Sequence, residues 1–266
     1  MADVSVHLLD RGRVRADANY VVDGYAMASA SNPRPEHEIR EFVVWNAVID
    51  HPEATILWDT GSHPDAGDGY WPAPLYDAFE HVDADEHRLE DDLDAAGYAL
   101  SDVDAVVTSH LHLDHAGGLY EFEGSDVPVY VHEEELKYAY FSAKTDEGSV
   151  AYLAPDFDRD LNWEVVRRDR RTLAGGVELL HLPGHTPGLL GARIDRDDGS
   201  VLLAGDAAYV DANYADEVPM GPGLVWCERR WLDSVRTLKE EARVHGADML
   251  YGHDLERFES FGDGWT

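Results

Sequence analysis

Apolar residues recur along this chain in short runs, rich in β-branched and aromatic side chains, and each run is closed by a loop of glycine, histidine and aspartate. Glu41–Ile49 (EFVVWNAVI) and Thr55–Trp58 read as strands, the second ending in Asp59-Thr60-Gly61. Val103–Val107 predicts a buried strand and Val127–Val131 another. The second half repeats this grammar in Val177–Leu182, Gly191–Ile194, Val201–Leu203 and Met249–Tyr251. Between them, Asp83–Gly97 carries Leu89 and Leu93 four apart among acids, which predicts an exposed helix closed by glycine. Helices are also predicted over Glu133–Ser142 and Glu228–His245, while Pro64–Pro74 and Glu147–Asn162 read as loops. Strands of mixed type with flanking helices imply an α/β (α+β type) protein whose sheets are covered by helices. There is no low-complexity linker and no solenoid-like repeat, so one domain spanning 1–266 is expected.

Composition changes this picture in one respect. Fifty-four acidic against 21 basic side chains give a formal net charge of -33, and lysine occurs only at Lys137, Lys144 and Lys239. A chain so acidic repels nucleic acid, and its self-repulsion weakens the folded state unless salt screens it. At 1 M salt the screening length is roughly 3 Å. A protein adapted to a high-salt, halophilic cytoplasm is therefore expected. No run approaches the roughly 18 apolar residues of a membrane span, and MADVSVHLLDRGRV lacks the charged-then-apolar pattern of an export signal. The expectation is a cytoplasmic protein with no membrane partner. Cys227 is the sole cysteine, cannot form an internal disulfide, and reads as a packed thiol.

The chemistry is concentrated in the loops. TSHLHLDHAGG puts His110, His112, Asp114 and His115 after one strand; PGHTPG puts His185 after another; LAGDAAY and LYGHD bring Asp206 and His253. Imidazole with carboxylate suits zinc, manganese or iron, and the absence of cysteine from these loops argues against a thiolate site. Seven ligands exceed the needs of one tetrahedral ion. Two divalent ions fit better, with His110, His112 and His185 on one, Asp114, His115 and His253 on the other, and Asp206 bridging. In an extended segment, positions two apart point the same way, so His110 and His112 can face one ion. The small residues Ala116-Gly117-Gly118 then let backbone approach closely.

The run HLHLDH, with WDTG before it and GHTPG, GD and GH after it in the expected order, resembles the metallo-β-lactamase superfamily over most of the chain. That resemblance implies an αββα sandwich with a dinuclear site at one edge of its two sheets, and it assigns the same seven residues as ligands. It also implies that Asp59 buttresses the ligand loop through hydrogen bonds. Two divalent metal ions are implied as cofactors, zinc in the first place, with iron, manganese or cobalt as alternatives. The segments GDAAYVDANYADEVP and YGHDLERF look more specifically like the N-acyl homoserine lactone hydrolases that quench quorum signals. In that family a tyrosine at the offset of Tyr209 hydrogen-bonds the lactone carbonyl. The implied chemistry is attack of a bridging hydroxide on a small acyl lactone, with Asp114 relaying the proton to the departing ring oxygen. A homodimer is compatible with the resemblance. The same motifs also serve hydrolases of other lactones, esters, thioesters and phosphodiesters, and a redox relative with an iron pair; RNA cleavage is disfavoured by the charge.

Other polar residues have plainer readings. His181 is expected to be a structural hydrogen-bonded residue, and His132 to cap the following helix. Arg167, Arg168, Arg170 and Arg171 are expected to form surface ion pairs. Tyr70, Trp71 and Trp226 are candidates for an apolar groove that would hold an acyl chain.

The charge balance makes a direct prediction: the melting temperature rises with KCl. Full stability at low salt would exclude salt adaptation.

Overall fold

The protein, described at residues 4–145 and 147–265 of a computed structural model, folds as two sheets packed face to face with helices on both outer sides. The first sheet contains β1 (Ser5–Asp17), β2 (Ile39–His51), β3 (Ala54–Trp58), β4 (Phe79–His81), β5 (Ala105–Val107), β6 (Pro128–His132) and β7 (Asn162–Val166). The second contains β8 (Arg170–Ala174), β9 (Val177–His181), β10 (Leu190–Arg196), β11 (Gly199–Leu203) and β12 (Asp248–Leu250). A final short strand, β13 (Gly264–Trp265), returns to the edge of the first sheet beside β1. The orders are β13-β1-β2-β3-β5-β6-β7, with β4 also on β1, and β12-β11-β10-β9-β8. Pairing is parallel from β3 through β7 and between β11 and β12, and antiparallel elsewhere.

Two-residue alternation explains the layers. Val48, Leu57 and Val106 point outward into a cluster with Leu89, Leu93, Ala139 and Phe157. Their neighbours Ile49, Ile56, Trp58 and Val107 point inward, against Leu190, Ala192, Ile194 and Leu203 of the second sheet. On the far side, Leu180, Leu202 and Met249 meet Leu238 of the helix Glu228–His245. Both faces of each sheet are therefore buried, which is why these strands read as nearly continuous apolar runs.

The helix Glu228–His245 has the expected bounds and stops at Gly246, whose φ of 60° is the left-handed geometry of a helix end. The helix Glu133–Lys144 begins where His132 Nδ1 accepts a hydrogen bond from the Glu134 N–H. The expected helix over Asp83–Gly97 is shorter, reduced to Leu89–Ala95 behind a 3-10 turn at Ala84–Glu86. The cause is a competing set of contacts with β1. Asp83 accepts from the Arg13 backbone N–H, Asp92 pairs with the buried Arg11, and His87 lies between the two acids. Within the regions expected to be loops, short helices form at Ala154–Phe157 and from Ala73, and β1, β4, β7, β8 and β13 are strands beyond those the sequence pattern predicts.

Leu57 has no exposed surface. Leu57→Ala should cost about 2–5 kcal/mol of stability, read from denaturant unfolding at fixed salt.

Candidate metal centre

The C-terminal ends of β3, β5, β9, β11 and β12 open into loops that meet at one edge of the sandwich. Backbone hydrogen bonds join the loops across the two sheets. The Leu190 N–H donates to Ser109 O at 2.7 Å, the Val43 N–H to His253 O at 3.3 Å, and Trp45 Nε1 to Tyr251 O at 3.0 Å. Gly117 is required by the same crowding, because a Cβ there would lie 2.2 Å from the His63 backbone nitrogen. At Gly252 an added Cβ would sit 2.5 Å from Asp206 Oδ1.

All seven residues expected as ligands converge here, and all but Asp114 are buried. His185 Nε2 lies 3.2 Å from His110 Nε2 and 3.0 Å from His112 Nδ1. Asp206 Oδ2 approaches His185 Nε2 at 3.3 Å and His110 Nε2 at 3.7 Å. Its other oxygen, Oδ1, is 3.2 Å from His253 Nε2 and 3.5 Å from His115 Nε2. Asp114 Oδ2 completes the second group at 3.7 and 3.8 Å from the same two nitrogens. Each Asp206 oxygen thus faces one cluster. With Zn–N bonds of 2.0–2.1 Å, a tetrahedral ion spaces its ligands about 3.4 Å apart. The observed separations scatter around that edge length.

Unmet polar atoms give an independent test of fit. His115 Nε2, His253 Nε2 and both Asp206 oxygens are buried without a hydrogen-bond partner among the described residues. Such atoms are costly in a protein interior unless something binds them. Burial, reinforced by neighbouring imidazoles, pushes His110 and His112 well below the ordinary histidine range, so both offer neutral lone pairs. At His115 and His253 burial acts in the same direction, but the carboxylates of Asp206 and Asp114 outweigh it and favour a positive charge. The residues present fit two divalent cations.

The outward nitrogens are held in place. His115 Nδ1 donates to Asp59 Oδ2 at 2.9 Å, His185 Nδ1 to Leu224 O at 2.6 Å, and His253 Nδ1 to Val43 O at 2.8 Å. Asp59 also accepts from the Ser109 N–H at 2.6 Å and the Ser109 hydroxyl at 2.8 Å. Its φ of 56° is unusual for a residue other than glycine and turns the carboxylate back toward the ligand loop.

One buttress escaped the sequence reading. Glu135 is wholly buried and accepts from the Leu111 N–H at 3.0 Å, the Tyr152 hydroxyl at 2.7 Å, the Thr186 hydroxyl at 2.6 Å and the Gly188 N–H at 3.3 Å. Burial raises its carboxyl above the ordinary range, and these four donors pull it back. It joins the His110–His112 segment to the His185 loop, with the Tyr152 ring 4.6 Å from that of His112. Asp59 therefore braces His115 directly and His110 through the Ser109 hydroxyl, 3.0 Å from His110 Nδ1, whereas Glu135 holds the His110–His112 and His185 segments together.

Beside the centre lies an apolar cavity of about 230 Å³. His112, Asp114, Tyr209 and His253 form its polar end, and Val14, Phe42, Trp71, Leu75 and Phe79 contribute apolar wall. Tyr209 is 8% exposed, with its ring 4.2 Å from that of His253. Burial first, then the Asp206 and Asp114 carboxylates, raise its hydroxyl well above the ordinary tyrosine range, so it remains a proton donor. Of the three aromatic residues expected to form an acyl groove, only Trp71 lines this cavity. Tyr70 turns away because its hydroxyl bonds Asp156, and Trp226, 46% exposed, lies outside it in a groove with Tyr138 and in an adjoining one with His112 and His185.

His181, His132 and most of the basic run expected to pair at the surface find partners away from the centre. His181 Nε2 donates to Pro187 O at 2.9 Å and its ring stacks on His132. Arg167, Arg170 and Arg171 pair with Glu133, Glu178 and Glu164, whereas the expected pairing of Arg168 is not found among the described residues. Cys227 is half-buried at the start of the helix Glu228–His245.

Comparison with known proteins places this arrangement. A family model of the metallo-beta-lactamase superfamily matches residues 39–253. The N-acyl homoserine lactonase AiiB of Agrobacterium fabrum is 32% identical over 264 residues, covering 95% of this chain and 94% of that protein. AiiA, the N-acyl homoserine lactonase of Bacillus thuringiensis subsp. kurstaki, is 31% identical over 224 residues, covering 82% and 83%. Among solved structures, an N-acyl homoserine lactone hydrolase with the product N-hexanoyl-L-homoserine bound at its catalytic metal center aligns with a TM-score of 0.83. Identity there is 26%, over 98% of this chain and 97% of the other.

The two braces make separable predictions. Glu135→Gln should weaken binding at the His110, His112 and His185 cluster, and Asp59→Asn binding at both clusters, through His115 and through Ser109 to His110, each by roughly 10- to 100-fold. Titration of metal-stripped protein with zinc should show one of two binding steps displaced in Glu135→Gln and both in Asp59→Asn.

Proposed function

The chain belongs to the metallo-beta-lactamase superfamily, and on that premise we propose that it is a metal-dependent hydrolase that opens the lactone ring of N-acyl homoserine lactones. The observation that carries this reading is the meeting of seven ligand side chains with the Tyr209 hydroxyl at the polar end of an apolar cavity. A lactone ring needs polarising and nucleophilic chemistry at one end, and its acyl chain needs an apolar wall at the other. Both are supplied within one cavity. The curated and structural relatives support the same substrate class.

His110, His112 and His185 would hold one ion and Asp114, His115 and His253 the other, with Asp206 shared; zinc suits these donors best. Two such ions supply Lewis-acid polarisation of the ester carbonyl and a water whose pKa falls toward neutrality. Tyr209 donates a hydrogen bond to the carbonyl oxygen as negative charge builds there. The Asp114 carboxylate, half-buried and open to the cavity, takes the proton from the attacking water and returns it to the departing ring oxygen. Asp59 and Glu135 keep the imidazoles aimed while this happens. The apolar wall limits access of bulk water.

The net charge of -33 supports an enzyme of a salt-rich cytoplasm that acts on a small neutral substrate and binds neither nucleic acid nor membrane. Among the described residues, no helix is long and apolar enough to cross a membrane. A homodimer is compatible with this reading.

The deciding experiment is pH-stat hydrolysis in multi-molar KCl, with metal content measured on the same sample, comparing acyl homoserine lactones with simple γ-lactones, a phosphodiester and a thioester. Preferential acid release from acyl homoserine lactones is expected, and cleavage of only the phosphodiester or thioester would overturn the assignment. Asp114→Asn and His112→Ala should lose most activity. Tyr209→Phe should lose roughly 1–3 kcal/mol of transition-state stabilisation, and unchanged kcat/KM would remove its role.

A further inference from the structure

Two chain segments that pack against each other contribute wall to the apolar cavity. One is the stretch after β3, which brings Trp71 and Leu75; the other is the stretch after the helix Glu133–Lys144, which brings Ser149, Val150 and Ala151. Packing between these walls is apolar, through Trp71, Leu113, Ala151 and Leu153, and is therefore non-directional. Among the described residues, one hydrogen bond crosses from wall to wall. The Tyr70 hydroxyl, adjacent in sequence to Trp71, donates to Asp156 Oδ1 across 86 positions of chain.

Both partners are fixed from behind. The Tyr70 ring stacks on His63 with centroids 3.8 Å apart and planes within 8°, and His63 rests on Gly117 of the ligand loop. Asp156 lies in the short helix Ala154–Phe157, is 1% exposed, and has no partner for Oδ2 among the described residues. Leaving a carboxylate oxygen unmet in the interior has a cost, so this acid is held there by something other than solvation. Burial pushes Asp156 up to about 7, against the Tyr70 hydrogen bond and the nearby Arg159 charge, with the Asp114 carboxylate adding to the rise. At pH 6, below that value, it is mainly an uncharged acid, close in shape and polarity to asparagine.

We propose that Tyr70 and Asp156 form a clasp that fixes the two cavity walls against each other and so determines which acyl chains the site admits. This rests on the acyl homoserine lactone reading above. Neither residue lines the cavity. Both act as positioning residues, through Trp71 on one side and Ser149–Ala151 on the other. A short acyl chain that does not reach these walls is indifferent to the clasp, whereas a long one gains its contacts only while the walls stay in register.

The test compares N-butanoyl and N-decanoyl homoserine lactone as substrates of the metal-loaded wild type, Tyr70→Phe and Asp156→Asn at pH 6, with amide hydrogen exchange on the same proteins without substrate. Tyr70→Phe should raise KM for the decanoyl substrate by roughly 3- to 10-fold, the weight of one hydrogen bond, with kcat and the butanoyl parameters unchanged. Exchange in Tyr70→Phe should quicken over residues 63–72 and 149–157 and stay constant over 108–118. Asp156→Asn, which keeps an acceptor for Tyr70, should behave as wild type. Equal changes for both substrates, or unchanged exchange in both wall segments, would overturn the clasp. If the wild type opens neither lactone, the substrate reading falls, while the exchange data still decide whether the clasp exists.

Discussion

The buried carboxylate of Asp206 is the constraint around which the site is arranged. Its two oxygens face separate clusters of ligands, and neither finds a hydrogen-bond donor among the described residues. A carboxylate removed from water on those terms is tolerable only where positive charge is brought to both sides. The histidine-rich loops, the missing side chain at Gly252 and the outward hydrogen bonds of His115, His185 and His253 follow from that requirement. Each imidazole is fixed at the nitrogen that faces away from the cluster, leaving the inner one free.

Much of this was legible in sequence because the governing physics is local. The nearly continuous apolar runs in EFVVWNAVI and TILW mark strands buried on both faces, and HLHLDH carries two spacings that suit an extended segment followed by a turn. What escaped depends on tertiary partners. β1 reads as polar because Asp10, Arg11 and Arg13 find partners in Asp92, in Asp83 and in one another, and its register shifts between Asp10 and Arg13. β8 begins with Arg170 and Arg171, which look like surface charge until β9 supplies Glu178. Glu135 is one of three successive glutamates at a helix start, and nothing in their order reveals which is buried. Tyr70 and Trp71 are neighbours of similar character, yet one lines the cavity and the other turns to Asp156.

Some of the scarce basic residues meet acids that are poorly hydrated, while others, such as Lys137 and Arg243, pair with exposed acids. Glu241 is 7% exposed and is met by both Arg170 and Arg193, and Arg193 also reaches Glu178. Arg11, almost fully buried, neutralises Asp92 against the first sheet. The charge excess is thereby carried mainly by exposed acids, where water and ions can screen it, and kept away from positions where an unpaired carboxylate would be most damaging.

The ligands are divided between the two halves of the sandwich. His110, His112, Asp114 and His115 follow a strand of the first sheet, whereas His185, Asp206 and His253 follow strands of the second. No cluster can be completed by one sheet alone. The ions would accordingly work as rivets as well as reagents: they can be gripped fully only after both sheets have docked, and once gripped they oppose the sheets' separation. Order of assembly is thus written into the ligand distribution, with the reactive centre maturing last and only on a correctly joined scaffold.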